Sequence, residues 1–469
     1  LARAALFTAA FSVACVPTDA GYQDVRRTTS ARIQRDVRWH EHDSSRATDE
    51  KTQQLLAQPL TVDSAVQLAL LNNQGLQAAF EELGVARGDL VGALRLPNPE
   101  VDAALRFHDG STPPEIEVQA TLELTDLLFL PWRNGIGDAG MDAAKASVAG
   151  RVIDLAFDVR IAFWEYQAAA QAFDLRRTIL EALRASFDAA QRLHEAGNVT
   201  DLSLANEQAL YEEARIAYTR SEAELRGRRE ELNALMGLWG RKAEWRVEGR
   251  LPEPRAIAPL LDKFEQRAVE RSLDLELIRR RYEVAAKRAN LATARGWVPE
   301  LRAGVAAERE HDDEQGWTLG PTASLEVPLF YQGQGESAAA AAEARQQRKL
   351  YADAAVRIRS AVRSVSSRLQ AATDSAEYYK RVLLPLRERI VNGTQLEYNA
   401  MSVGIFQLLQ AKRDQIETAR AYVELLRDYW TLRSQAEQLL AGRLPRTAGV
   451  LSGLEDDAMS PGRRSTEQH

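Results

Sequence analysis

Residues 115–124, EIEVQATLEL, alternate strictly: Ile116, Val118, Ala120, Leu122 and Leu124 fall on one face, Glu115, Glu117, Gln119, Thr121 and Glu123 on the other. A period of two is the mark of a strand with one apolar and one polar side. The same pattern predicts strands at 101–108, 301–310 and 317–327, the last with Trp317, Leu319, Pro321, Ala323, Leu325 and Val327 on its apolar side. Elsewhere the period lengthens to that of a helix, over 62–93, 136–196, 200–237, 258–295, 336–397 and 403–441. Thr61 or Asp63 supplies the first N-cap.

Counting by sevens through 136–196 gives Val152, Val159, Tyr166, Phe173, Leu180 and Phe187, with Leu155, Ala162, Ala169, Arg176, Leu183 and Ala190 beside them. Arg176 is the one break in this seam, so the helix is expected to supercoil against partners. At 1.5 Å per residue, about 60 residues extend roughly 90 Å, which predicts a rod or tube. The strands come close to or reach the length that crosses a bilayer, about 9–11 tilted residues. Four strands cannot close a barrel, and an open edge in lipid leaves backbone groups without partners. Membrane strands here would therefore require several chains to share one barrel.

The chain repeats itself at a period of about 200 residues, far beyond solenoid length. LPNPEVDAAL at 96–105 matches GWVPELRAGV at 296–305, TLEL at 121–124 matches SLEV at 324–327, and the helix ending at Gly237 matches the one ending at Gly442. Each half reads helix, strand, strand, helix, helix. The expected organisation is a signal or lipoprotein segment at 1–15, a polar tether at 16–59, repeats at 60–250 and 251–442, and a disordered tail at 443–469.

Composition sharpens this. A net charge of −7 and no concentrated basic face argue against a nucleic-acid partner. No run of 18 apolar residues exists, so no transmembrane helix is expected. The single cysteine, Cys15, closes a short apolar run after Arg3. That is the layout of a secretory signal, and SVAC is similar to a lipoprotein processing site with Cys15 as the acylated residue.

Taken in order, LTVDSAVQLALLNNQGLQAA, LPNPEV, EAGNVTDLSLANEQALYEEARIAY, VPLFYQGQGE and YNAMSVGIFQLLQAKRDQIETARAYVELLRDYWTLRSQAEQLL resemble the TolC family of outer-membrane efflux factors over residues 60–442. The resemblance implies a mostly helical fold with a small membrane β part. It implies a homotrimer, with four strands from each chain closing one outer-membrane barrel above a long periplasmic helical barrel. It further implies outer-membrane lipid around the strands and docking to a periplasmic adaptor and an inner-membrane pump, and YNAMSVGIFQLLQAKR resembles members found with heavy-metal pumps more than those found with drug pumps. The turns at 196–198 and 399–404 would mark the periplasmic tip, with Gly197, Asn198, Val403 and Gly404 facing the adaptor. Gln407 and Gln410 fall where the family carries an acidic pair at the closed entrance, so a cation-blocked gate is in doubt. Asp201 is the third candidate for lining the entrance.

No enzyme constellation emerges: HExxH, GxSxG and the P-loop are absent, and no cofactor is expected. NGIG at 134–137 and GQGE at 333–336 occupy matching strand-to-helix turns and lack the glycine spacing of a phosphate cradle. His40 and His42 lie in the tether. His108 and His311 each end the first strand of a repeat and precede an aspartate. These two are the nearest approach to a metal site, although hydrophilic loops account for them, and none is assigned. The reading is a passive exit duct. Its rival is a periplasmic adaptor-like coiled-coil protein, against which the duplicated hairpins and paired strand sets argue.

Overall fold

The computed structural model describes residues 20–39, 45–107, 115–309, 316–327 and 329–446. Cys15, His40, His42, His108, His311 and the tail beyond Arg446 lie outside them. In chain order the elements are α1 (Tyr22–Ile33), α2 (Ser45–Leu56), α3 (Val62–Asn72), α4 (Gln74–Leu94), β1 (Glu100–Arg106), β2 (Glu115–Glu123), the short α5 (Thr125–Leu128), α6 (Leu130–Glu195), α7 (Asp201–Met236), the single turns α8 (Ala258–Leu261) and α9 (Phe264–Glu270), α10 (Leu273–Arg295), β3 (Glu300–Arg309), β4 (Thr318–Glu326), α11 (Gln334–Tyr378), α12 (Leu384–Asn399) and α13 (Ile405–Leu440). Among the described residues no helix is long and apolar enough to cross a membrane.

The chain divides into two compact units, and each draws on both sequence repeats. The first comprises 1–25, 79–148 and 275–354; the second comprises 26–78, 149–274 and 355–469.

The first unit carries the strands, as one antiparallel sheet in the order β1-β2-β3-β4. Its register makes the sequence alternation coherent across all four strands. Val101 faces Ala120, Ala103 faces Val118 and Leu105 faces Ile116. Continuing across the sheet, Val118 faces Ala307, Ala120 faces Val305 and Leu122 faces Ala303. Leu301 then meets Leu325, Val305 meets Pro321 and Ala307 meets Leu319. One face is therefore hydrocarbon across all four strands, with Arg309 opposite Ile116 as its one charged residue, at the end of β3. The opposite face holds Asp102, Arg106, Glu115, Glu117, Gln119, Thr121, Arg302, Glu308 and Ser324. Gly304 is required where it stands: a Cβ there would lie 2.1 Å from the Ala120 carbonyl oxygen. The sheet is pinned to its helices at the β2–α5 corner. Thr125 donates from Oγ1 to Pro299 O at 3.2 Å and accepts from Leu301 N–H at 2.6 Å, while Asp126 pairs with Arg133 at 3.2 Å and with Arg295.

The second unit is helical and holds a compact core. Trp164 of α6 packs on Trp430 of α13 with ring centroids 4.8 Å apart, and Tyr166 packs on Trp245 at 4.8 Å. The polar edges of these rings are satisfied: Trp245 Nε1 donates to Asn233 Oδ1 at 2.7 Å, and Trp430 Nε1 to Pro252 O at 2.8 Å. Val152 and Val159 are fully buried, and Tyr166 nearly so, as the heptad seam requires. Gly237 ends α7 in the left-handed conformation, φ +67°, with Asn72 O only 2.5 Å from where a Cβ would sit.

Four local expectations differ. Residues 22–33 and 45–56 form helices where a polar tether is expected from the sequence, and Val25, Thr29, Ile33, Val37 and Thr52 are buried. Their apolar positions are too few to show a period, because much of what they bury is threonine. The expected helix at 62–93 breaks at Asn73, which accepts Leu76 N–H at its Oδ1 (2.9 Å) and so starts α4. Instead of one helix at 258–295, the chain forms α8, α9 and α10, with Lys263 left-handed at φ 46° between the first two. The expected tail at 443–469 begins as ordered core: Arg443 pairs with Asp154 and Asp274 and is almost fully buried. An arginine at a helix end looks solvent-facing in sequence, and only the fold brings two carboxylates to it.

Candidate functional site

Two features of the structure bear on function. The first is the sheet. On its apolar face Val101, Leu105, Val305, Leu319 and Leu325 are each more than half exposed. In water such a face would be a liability, since exposed apolar patches mark contact with lipid or protein. Large aromatic and aliphatic side chains collect at both ends of the strands. Leu128, Trp132, Trp297, Leu329, Phe330 and Tyr331 sit where β2 ends, β3 begins and β4 ends; Phe107 and Trp317 sit at the opposite end. An apolar band between aromatic girdles is the surface of a membrane strand array. The polar face carries Arg106 paired to Glu117 at 3.0 Å.

The second feature is the pair of hairpin turns. The α6–α7 turn is a Schellman cap: Gly197 N–H donates to His194 O and Asn198 N–H to Leu193 O, both at 2.8 Å, with Gly197 at φ +75°. Thr200 then caps α7, its hydroxyl accepting Ser203 N–H at 3.2 Å. Asp201, in the first turn of α7, is 96% exposed at its side chain and lies 3.2 Å from His194 Nε2. At the α12–α13 turn, Met401 takes a left-handed conformation, φ 59°, and is almost wholly exposed.

Gln407 and Gln410 both lie exposed in the first turns of α13, and their amides are already engaged. Gln407 accepts Gly404 N–H with its side-chain oxygen and so caps its own helix. Gln410 donates to Asp414 Oδ1 at 2.9 Å, and Asp414 also faces Arg387 of α12 at 3.4 Å. Asp414 is absent from the candidates drawn from sequence. Its only signal there is its place one helical turn beyond Gln410.

Below the turns, a cleft of about 480 Å³ opens between α6, α7 and α13. Its floor is Ala168, Ala169 and Ala172, and its walls carry Arg176, Arg228 and Arg420 against Glu165 and Glu424. Arg228 binds Glu165 at 2.8 Å. Burial raises the Glu165 carboxyl above its ordinary pKa, with Arg228 opposing that shift.

Residues 65–238 match the family described as outer membrane efflux protein. The chain is 22% identical over 390 residues to the cobalt-zinc-cadmium resistance protein CzcC of Cupriavidus metallidurans, a match covering 82% of this chain and 90% of the relative. It shares its fold with the outer membrane protein VceC of Vibrio cholerae, at TM-score 0.66 and 16% identity, covering 82% of this chain and 96% of VceC. A third likeness is to the CmeC outer membrane channel of Campylobacter jejuni, at TM-score 0.63 and 14% identity, covering 85% and 89% of the two chains. The mostly helical fold with one small antiparallel sheet, expected from the sequence, is the fold these neighbours share.

Proposed function

We propose that the protein is the outer-membrane exit duct of a tripartite efflux system, passive in itself and driven by a partner pump. The observation that carries this reading is the sheet: one face apolar across four strands but for Arg309 at the end of β3, and strands β1 and β4 each with an edge that no strand among the described residues pairs. Backbone groups on such edges have no partner in lipid. Three copies, each giving four strands, close one barrel, and the hairpins α6–α7 and α12–α13 continue it into the periplasm as a tunnel. Gly197, Asn198, Val403 and Gly404 then face a periplasmic adaptor, and Gln407, Gln410 and Asp201 line the entrance. The likeness to a cobalt-zinc-cadmium resistance protein favours divalent metal ions as cargo.

Fractionation with amine-reactive cross-linking tests the class. The full chain should partition with outer membranes and give a cross-linked ladder that stops at three copies. Recovery as a soluble monomer, or a ladder stopping at two, would overturn the reading in favour of an adaptor-like coiled-coil protein.

A further inference from the structure

We propose that His194 and Asp201 form a binding site for a zinc-class divalent cation at the α6–α7 turn. The argument starts from which atoms can donate. His194 Nδ1 lies 3.1 Å from the Val199 carbonyl oxygen, which only accepts, so this nitrogen carries the ring proton. In the neutral imidazole Nε2 is then a lone pair, and it faces the Asp201 carboxylate at 3.2 Å. Two acceptors that close must share a positive charge.

The geometry suits a metal ion. Bonds of about 2.0–2.1 Å from one ion to a histidine nitrogen and a carboxylate oxygen place those two atoms roughly 2.9–3.4 Å apart. A ligating histidine commonly fixes its tautomer by donating its other N–H to a carbonyl, the role Val199 fills here. The site is preorganised, because the Schellman cap holds the turn and the Thr200 cap holds the start of α7. The Asp201 side chain is 96% exposed, so water completes the coordination. Among the described residues no group of three or more such ligands gathers. Two protein ligands therefore hold the ion weakly, which fits capture and release at an entrance rather than a structural metal. That transit role rests on the efflux reading; the binding itself rests on the turn alone.

The test uses the full chain in detergent at neutral pH, with Zn²⁺ as the probe and Mg²⁺ as the hard-cation control. Acylation of His194 by diethylpyrocarbonate, followed by peptide mass spectrometry, reads this one ring whatever other histidines bind. Zn²⁺ should protect His194 in the wild type and Mg²⁺ should not. Asp201→Asn should raise the Zn²⁺ concentration for half-protection by roughly tenfold or more, and Asp201→Glu should recover part of the loss. Helical circular dichroism checks the fold of each variant, and should a variant unfold, the wild-type Zn²⁺ dependence decides alone. A His194 rate indifferent to Zn²⁺ would mean that a proton alone bridges the pair, and protection equal in Asp201→Asn would mean that Asp201 is no ligand; either result overturns the site. The readout is independent of transport and of copy number, so its failure is distinct from failure of the duct reading.

Discussion

Arg176 occupies the one position where the α6 seam lacks an apolar residue, and its guanidinium reaches Glu417 of α13 at 2.7 Å. The break in the heptad pattern was visible in the sequence; its partner, far along the chain, was not. Glu417 also accepts from Arg420 at 2.8 Å. Burial pushes the Glu417 carboxyl up, but the Arg420 hydrogen bond and the charges of Arg176, Arg420 and Arg413 outweigh it, and the net pKa lies below the ordinary 4.5. A carboxyl lowered in the folded state stabilises the fold above its unfolded pKa, and that contribution disappears as pH falls through the lower, folded value. Arg176→Ala should therefore destabilise by about 1 kcal/mol at neutral pH, the scale of a partly buried surface ion pair, with the deficit shrinking in acid below the ordinary carboxylate range. Arg176→Leu should cost less, since it completes the apolar seam while Glu417 keeps Arg420. Denaturant melts of the three proteins at neutral and acid pH measure this. An Arg176→Leu deficit equal to that of Arg176→Ala would show that the ion pair, not the seam, dominates, and a larger one that the position does not accept an apolar side chain. Gln407 teaches the complementary lesson at the same scale: the resemblance placed it near the entrance, but only the coordinates reveal that its amide oxygen is engaged by Gly404 N–H.

Among elements, the strands were legible almost to the residue, because a period of two marks each position with a face. The helix interruptions were less so. Asn73, Lys263 and the wide turn at Tyr379–Leu383 ahead of Pro385 depend on backbone hydrogen bonds that apolar spacing does not encode. The strand register makes a sharp prediction. Ala120 lies on the apolar face opposite Val101 and Val305, whereas the next residue, Thr121, lies on the polar face opposite Glu100 and Gly304. If the apolar face meets lipid, Ala120→Arg should cost roughly 2–4 kcal/mol per site in mid-membrane, and Thr121→Arg much less. With three chains sharing a barrel the penalty acts three times. Outer-membrane trimer yield should collapse for Ala120→Arg and persist for Thr121→Arg. Equal yields would mean that the apolar face packs against something other than a bilayer.

For the whole molecule, the duplication is what the sequence reveals best, and the pairing of β2 with β3 joins the two halves' hairpins into one sheet. What sequence does not reveal is the charge environment of the first turns of α13, where the proposed entrance lies. The resemblance drew attention to Gln407 and Gln410 as neutral replacements for an acidic pair, yet Asp414 lies one turn below Gln410 and accepts its amide. Asp414 also faces Arg387 at 3.4 Å, which offsets its charge. A neutral amide beside a compensated carboxylate holds a multivalent cation poorly, because oxygen-loving ions need several uncompensated ligands. Reconstituted wild-type channels should accordingly resist block by oxygen-loving cations, Mg²⁺ and trivalent ions, added from the hairpin side. Gln410→Asp supplies a second carboxylate beside Asp414 with only one guanidinium to share, and in a trimer the change is made three times around a narrow lumen, where like charges raise cation occupancy. Gln410 is the cleaner site for this test, since Gln407 caps α13 and its replacement would disturb the turn. Planar-bilayer conductance with graded multivalent cation should show block of Gln410→Asp at concentrations that leave the wild type open. Strong block of the wild type, unchanged by Gln410→Asp, would move the entrance constriction away from α13 and toward the α6–α7 turn, where Asp201 already stands exposed.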